Sequence, residues 1–341
     1  MNLETFEFSQ NHTLFWDKLE KSNYFLESIL ETLNEPLQGR LVSHLLDAPV
    51  GDGGQWDMFS GLLEKYGAVP KDVMPETFHS SNTKDLIKLL TRWLRKYAHL
   101  LRTGHENGKS MAELRTMKES YLSDIYALLV KCLGEVPEKF NFEYKDKDKQ
   151  FHKDENLTPQ EFFKKYVGWN LKEKISLINA PTADKPYGRA YTVKYLGTVK
   201  EAPPICYVNV PIDVLKNAAV KSLLAGEPVW FGCDVSQSSE RKNGILDLDV
   251  YNYTLTAGRS APFTKAERLD YGESRLTHAM VFTGVDLDSH NRPIKWQVEN
   301  SWGEEPGKKG IFSMTDAWFD EYTYQIMVEK KYVEAEWLKA L

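Results

Sequence analysis

The hydrophobic pattern of this 341-residue chain changes period near residue 174, from a helical repeat to strand-like alternation. That change decides the fold class. Upstream, "TLFWDKLEKSNYFLESILETL" (13–33) repeats apolar residues every three or four positions, as a helix buried along one face does. "GDGGQWDMFSGLLEKYGAVP" (51–70) reads as a glycine turn, a helix, and a stop at Gly67 with Pro70 beyond it. The helical repeat continues from 82 to 133, with a break marked by Gly104 and Gly108. The mixed charge run 143–155 is expected to be a solvated connector. A short helix follows at 158–167, capped by Thr158, with Pro159 at its first position and Glu161 closing a capping box.

Downstream, "ISLINAP", "YTVKYL", "ICYVNVP", "PVWFGCDV", "HAMVFTGV", "IKWQVENSW" and "YQIMVEK" read as strands rich in β-branched and aromatic residues. One helix, 213–226, interrupts them. The expected architecture is α+β, with a helical first half and an antiparallel sheet second. The length suggests about two domains. Hydrophobic residues at 42% and aromatics at 12% suffice for a substantial core, which excludes a disordered chain.

Composition also narrows the partners. A formal charge of −6 argues against a phosphate-backbone footprint, so no nucleic acid is expected. No stretch has the pattern of a signal peptide or a membrane span, so a cytoplasmic protein without membrane contact is expected. Cys132, Cys206 and Cys233 are too scattered for a disulfide framework or a metal cage. His12, His44, His79, His99, His105 and His152 form no H-E-x-x-H pattern, so neither a metal nor a cofactor is expected.

The most informative spacing lies near the C-terminus. "HAMVFTGV" (278–285) and "PIKWQVENSW" (293–302) are joined by the turn formers "DLDSHNR". The midpoint of His278 and Asn300 is Ser289, inside that turn, so a hairpin makes the two cross-strand neighbours within about a residue of register. Alternation places Ile294, Trp296, Val298 and Asn300 on one inward face. An inward Asn300 can accept the imidazole N–H of His278 and set its tautomer, and Trp302 can cover that bond. The pair reads as a general base and its orienter.

"THAMVFTGV", "VENSWGE", "GDGGQWDM", "WFGCDV" and "EKYGAVP" occur in order, with "FEFSQNHTLFWDKLE", "EYKDKDKQF", "AERLDYGES" and "FSMTDAWFDEY". With these motifs along essentially its whole length, the chain resembles the bleomycin hydrolase (aminopeptidase C) family of papain-like cysteine peptidases. The resemblance implies a papain-like fold: a helical lobe (1–75), a helical insertion (76–172) and a β-rich lobe (173–341). It implies a cysteine aminopeptidase acting on peptides, assembled as a homohexameric ring. His278 becomes the base and Asn300 its orienter. Gly53 and Gly54 become a glycine pair facing the substrate backbone, with Trp302 as the shielding tryptophan beside the substrate.

The family's nucleophile motif, of "GRCW" type on a central helix, and its preceding glutamine do not occur in the chain, nor does its C-terminal arm. The expectation is therefore a peptidase truncated at both ends, inactive alone, with "FLESIL" and "MFSGLLEKY" left exposed where the helix would pack. The alternatives are a catalytically inactive pseudopeptidase or binding scaffold, and an enzyme completed by a separate chain. Intact mass spectrometry of the endogenous protein under reducing conditions is expected to give more than 39.3 kDa; a value of 39.3 kDa would favour the alternatives.

Overall fold

The computed structural model describes residues 1–258 and 262–341. The chain forms two compact units, Met1–Trp169 with Val193–Ile205, and Asn170–Thr192 with Cys206–Leu341. No helix among the described residues is long and apolar enough to cross a membrane.

The first unit holds helices α1 (Gln10–Glu31), α2 (Arg40–Asp47), α3 (Trp56–Tyr66), α4 (Phe78–Ser81), α5 (Lys84–Glu106), α6 (Met111–Leu133) and α7 (Pro159–Tyr166). Ser9 caps α1 by accepting from the His12 amide at 3.0 Å. The one-face expectation for this helix does not hold. Phe15, Leu26 and Ile29 are fully buried, and so is Lys18. Its charged positions enter the interior because each finds a partner there: Glu20 meets Lys65 and Tyr66, and Glu27 meets Arg115 and Lys118. The expected exposed stripes are absent too. Phe25, Leu26, Ile29, Leu30, Met58, Leu62 and Leu63 are all buried, and Phe59 alone in those two runs is an exposed large hydrophobic.

The charge run is not a plain connector. Residues Phe140–Lys145 (β1) and Phe151–Leu157 (β2) pair as an antiparallel hairpin. Phe140, Phe142 and Tyr144 alternate beneath the charges, and Phe142 packs edge-on against Phe162 at 5.0 Å between ring centroids. Glu143, Lys153 and Glu155 pair on the other face, while Asp154, opposite Phe142, accepts from Lys165 and Tyr166. The Thr158 cap forms as read, with the Thr158 amide donating to Glu161 at 2.8 Å and the Glu161 amide donating back to Thr158 at 3.2 Å.

The second unit is a ten-stranded sheet with helix α8 (Ile212–Leu224). Its strands are β3 (Lys174–Ile178), β4 (Arg189–Tyr191), β5 (Tyr207–Asn209), β6 (Val229–Cys233), β7 (Ser239–Glu240), β8 (Ile245–Leu246), β9 (His278–Leu287), β10 (Pro293–Glu299), β11 (Ile311–Thr315) and β12 (Thr323–Glu329). They lie in the order β4-β5-β3-β12-β6-β9-β10-β11-β8-β7. Pairing is antiparallel except for β3 with β5 and β11 with β8. A stack of Phe231, Phe282, Trp296 and Phe319, with Phe231 and Phe282 centroids 3.7 Å apart, fills the core beneath β6, β9 and β10. The strand expected at 191–196 ends at Tyr191: Tyr195 takes a positive φ of 58°, and 193–205 belongs to the first unit. The two-residue strands β7 and β8 are too short to show a period.

Gly67, just past α3, has φ of 68°, and a Cβ there would stand 2.3 Å from the backbone carbonyl of Pro159. Gly108, after α5, has φ of 81° with open space around it. Gly67→Ala is therefore expected to cost clearly more than Gly108→Ala, which carries only the φ strain of about 1 kcal/mol. Urea denaturation of both variants checks the order; equal losses would contradict it.

Candidate active site

The site is built on the β9–β10 hairpin. Val281 pairs with Glu299 and Phe282 with Val298, but the next partners are Gly284 and Gln297, leaving Thr283 as an extra residue on β9. Asp286 pairs with Lys295 and Leu287 with Pro293, leaving Ile294 extra on β10. The two irregularities offset each other, so the register near the site almost matches a regular hairpin. Ile294, expected to face inward, is instead 45% exposed, because it sits in the bulge. Trp296, Val298 and Asn300 are buried as expected.

Extending the pairing of Val281 with Glu299 sets His278 opposite Trp302 and Asn300 on the diagonal, two residues from direct opposition. The side chains still meet, as diagonal neighbours on one sheet face can. His278 Nε2 lies 2.9 Å from Asn300 Oδ1, and the Trp302 ring lies 4.8 Å from the imidazole. Asn300 Oδ1 also accepts the Ser301 amide at 2.8 Å. A backbone N–H can only donate, so the amide atom facing it is the oxygen. The same oxygen then requires a proton on His278 Nε2, which leaves Nδ1 as the basic nitrogen. Asn300 Nδ2 is buried with no partner among the described residues, so the Oδ1 contacts alone orient the amide.

Sequence reading missed what delivers His278 to this position. Asp234, directly after β6, accepts from Ser236 at 2.6 Å, Ser274 at 2.8 Å, Thr277 at 3.1 Å and the Arg275 amide at 3.3 Å. The Thr277 amide donates to the Cys233 carbonyl at 2.9 Å. Four donors thus tie residues 274–277, the approach to β9, to the end of β6. Burial pushes the Asp234 carboxyl up, but the hydrogen bonds from Ser236, Ser274, Arg275 and Thr277 outweigh it and hold the group below its ordinary range. "GCDV" offered a signal, since a lone Asp at the end of an apolar strand needs donors.

A family profile described as the Peptidase C1-like family matches residues 1–341. The chain belongs to the Peptidase C1-like family. It is 51% identical over 338 residues to an aminopeptidase C of Streptococcus thermophilus, covering 99% of this chain and 76% of that one. Bleomycin hydrolase of Gallus gallus is 42% identical over 347 residues, covering 100% and 76%. The crystal structure of PepW from Lactobacillus rhamnosis superposes with a TM-score of 0.97 at 53% identity, covering 99% of this chain and 76% of that one. The α+β fold and the family resemblance read from the motifs are borne out.

Peptidase C1-like chemistry draws attention to the cysteines. Cys233 pairs directly with His278 across β6 and β9, yet it is fully buried, and burial, with Asp234 beside it, pushes its thiol well above the ordinary range. Burial also raises the Cys132 thiol. Cys206 adjoins β5, four strands from β9, on the order of 15–20 Å at the usual strand spacing.

Gly53 and Gly54 belong to the first unit, apart from the unit that brings His278, Asn300 and Trp302 together. Neither has a positive φ, and a Cβ at either would meet nothing within 4 Å. The turn itself therefore does not demand glycine. The loop is clamped from below: Lys21 donates to the Gly53 carbonyl at 2.7 Å and Lys18 to the Gly51 carbonyl at 2.6 Å. Both glycines border a cavity of about 420 Å³ in this unit, lined also by Lys21, Phe25 and Tyr195. Burial pulls the Lys21 ammonium below its ordinary range, against the attraction of Asp17.

Asp234→Asn replaces an acceptor by an amide facing donors, and is expected to cost about 2–4 kcal/mol at pH 7. A depressed carboxylate contributes stability that is full above about pH 5, where the unfolded carboxyl is ionised, and is lost as pH falls through its folded value. The gap between wild type and Asp234→Asn in urea denaturation should therefore shrink below about pH 4. A gap independent of pH would contradict this account.

Proposed function

We propose that the chain carries the base and orienter of a cysteine aminopeptidase site, in which His278 Nδ1 takes the proton of a cysteine thiol. Nε2 keeps its proton, donated to Asn300, so the imidazole has one basic nitrogen and one fixed direction. The thiolate attacks the amide carbonyl next to the substrate's N-terminal residue, and the imidazolium returns its proton to the departing amine. Trp302 covers the imidazole and limits water's competition for the hydrogen bond to Asn300. Gly53 and Gly54 present open backbone to the peptide. The single observation that carries this reading is the 2.9 Å contact from His278 to an Asn300 amide whose orientation Ser301 sets.

None of Cys132, Cys206 and Cys233 suits the nucleophile, so on this reading the thiolate comes from another cysteine, outside the 341 residues. The names aminopeptidase C and bleomycin hydrolase among the relatives support release of N-terminal residues from peptides. The same reading includes a cytoplasmic homohexamer and a three-part organisation at 1–75, 76–172 and 173–341.

The test uses protein purified from its own source, with aminoacyl coumarin amides as substrates. Iodoacetamide is expected to abolish hydrolysis, and peptide mapping to find the labelled cysteine in a peptide containing none of the three cysteines named. His278→Ala should lower kcat by about 10³-fold or more, and Asn300→Ala by about 10- to 10²-fold. Hydrolysis within tenfold of wild type in His278→Ala would overturn the assignment. Absence of hydrolysis in the wild type would favour a binding scaffold.

A further inference from the structure

Arg241 lies in the tight connection between β7 and β8, and its guanidinium carbon stands 4.3 Å from the centre of the Trp302 ring. Arginines at protein surfaces ordinarily find a carboxylate, and the nearest in sequence is Glu240. That carboxylate is already committed: its two oxygens accept the Lys242 amide at 3.0 Å and the Asn243 amide at 2.9 Å. Arg241 is exposed and makes no ion pair among the described residues. The partner found for its guanidinium among the described residues is the aromatic face.

The turn that carries it is tied to two other segments of the chain. The Gly307 amide donates to the Lys242 carbonyl at 3.0 Å, and the Ser313 amide donates to the Gly244 carbonyl at 2.8 Å. Gly244 and Gly307 approach so closely that a Cβ on Gly244 would stand 2.7 Å from the Gly307 Cα. The arginine is thus held from two sides, by its backbone and by Trp302. An ordered, unpaired cation beside a catalytic base has lost part of its conformational freedom before any ligand arrives.

Its distance from the base limits what it can reach. The imidazole lies 4.8 Å from Trp302 and the guanidinium 4.3 Å from the same ring, so base and cation are no more than about 9 Å apart. On the reading above, His278 hands its proton to the departing amine, so the residue following the scissile bond leaves from the imidazole. A residue spans about 3.5 Å, and hydrogen bonds of about 2.8 Å at either end fill the remaining gap. One residue with its two hydrogen bonds reaches the upper limit of that gap, and two residues overshoot it.

We propose that Arg241 binds a carboxylate on the residue immediately after the scissile bond. The carboxylate is the free C-terminus of a dipeptide or the side chain of an Asp or Glu at that position. This inference rests on the proposed function, and it names a preferred substrate class: short or acidic peptides, recognised on the leaving side. Guanidinium suits the task, because its fork matches two carboxylate oxygens while its flat face stays on the indole.

The test compares wild type, Arg241→Met and Arg241→Lys, each produced in the protein's own source, on Ala-Ala, Ala-Ala-amide and Ala-Asp-amide. Arg241→Met is expected to lower kcat/KM for the carboxylate-bearing substrates by about 5- to 30-fold, and for Ala-Ala-amide by no more than about threefold. Arg241→Lys should retain part of the preference, and added salt should weaken it. Loss on Ala-Ala alone identifies the chain terminus as the ligand; loss on Ala-Asp-amide alone identifies the side chain. Equal losses on all three substrates would overturn the proposal, since Arg241 would then act only through Trp302. A wild type that hydrolyses none of them would defeat the proposed function instead. Binding remains measurable in that event: alanine, but not alaninamide, should shift the Trp302 indole N–H resonance in wild type and not in Arg241→Met. Equal shifts by both ligands would refute the proposal independently of hydrolysis.

Discussion

The Ser301 amide donates to Asn300 Oδ1, and the chemistry assigned to the sheet unit depends on that bond. An unconstrained asparagine amide can present oxygen or nitrogen to an imidazole with little difference in shape. With a backbone donor on one side, only the oxygen can face it, and the tautomer of His278 follows. The bond needs Asn300 directly after β10 ends at Glu299, with Ser301 next, and it needs the chain to turn there. The Asn300 amide donates to the Gly310 carbonyl at 3.1 Å, and Gly303 and Gly310 both take positive φ, so the loop beyond the strand folds back at once. The site thus stands where β10 stops being a strand.

This explains how much was legible in the sequence. His278 and Asn300 could be paired from spacing alone, because a hairpin register is a local rule and its turn formers stand in plain view. The bulges at Thr283 and Ile294 fall on opposite strands and cancel, but the turn centres on His290 rather than Ser289, so direct opposition is missed by two residues and the pair meets on a diagonal. Bulges leave little trace in a hydrophobic pattern, so Ile294 was read as inward while the structure exposes it. The hairpin at 140–157 was hidden differently, by lysines and aspartates that outnumber its Phe-x-Phe-x-Tyr face. Asp234, Lys18 and Lys21 escaped notice because their roles depend on partners far along the chain, which no short window contains.

Both units use buried charge to place a loop. In the first, Lys18 and Lys21 reach carbonyls of the Gly51–Gly53 segment. In the second, Asp234 gathers donors from 274–277. An apolar contact could provide comparable stability, but it has no direction, whereas a carboxylate with five donors accepts one arrangement of the backbone around it. The energy of such a cluster is therefore expressed as position. On the proposed function that is the property the base needs, since a displacement of about 1 Å can cost two orders of magnitude in rate.

The same commitment of carboxylates has an electrostatic consequence. Asp234 spends its oxygens on hydroxyl and amide donors, and Glu240 spends its own on two backbone amides, so neither is available to neighbouring cations. The hydrogen-bond partner of His278 is a neutral amide, which orients the ring without attracting positive charge. An aspartate in that position would stabilise imidazolium by itself and keep the ring charged whether or not a thiol stood nearby. With asparagine, the partner fixes the direction of the ring without adding a charge beside it. Orientation is thus built into the sheet by Asn300 and Ser301, with no carboxylate spent on the ring.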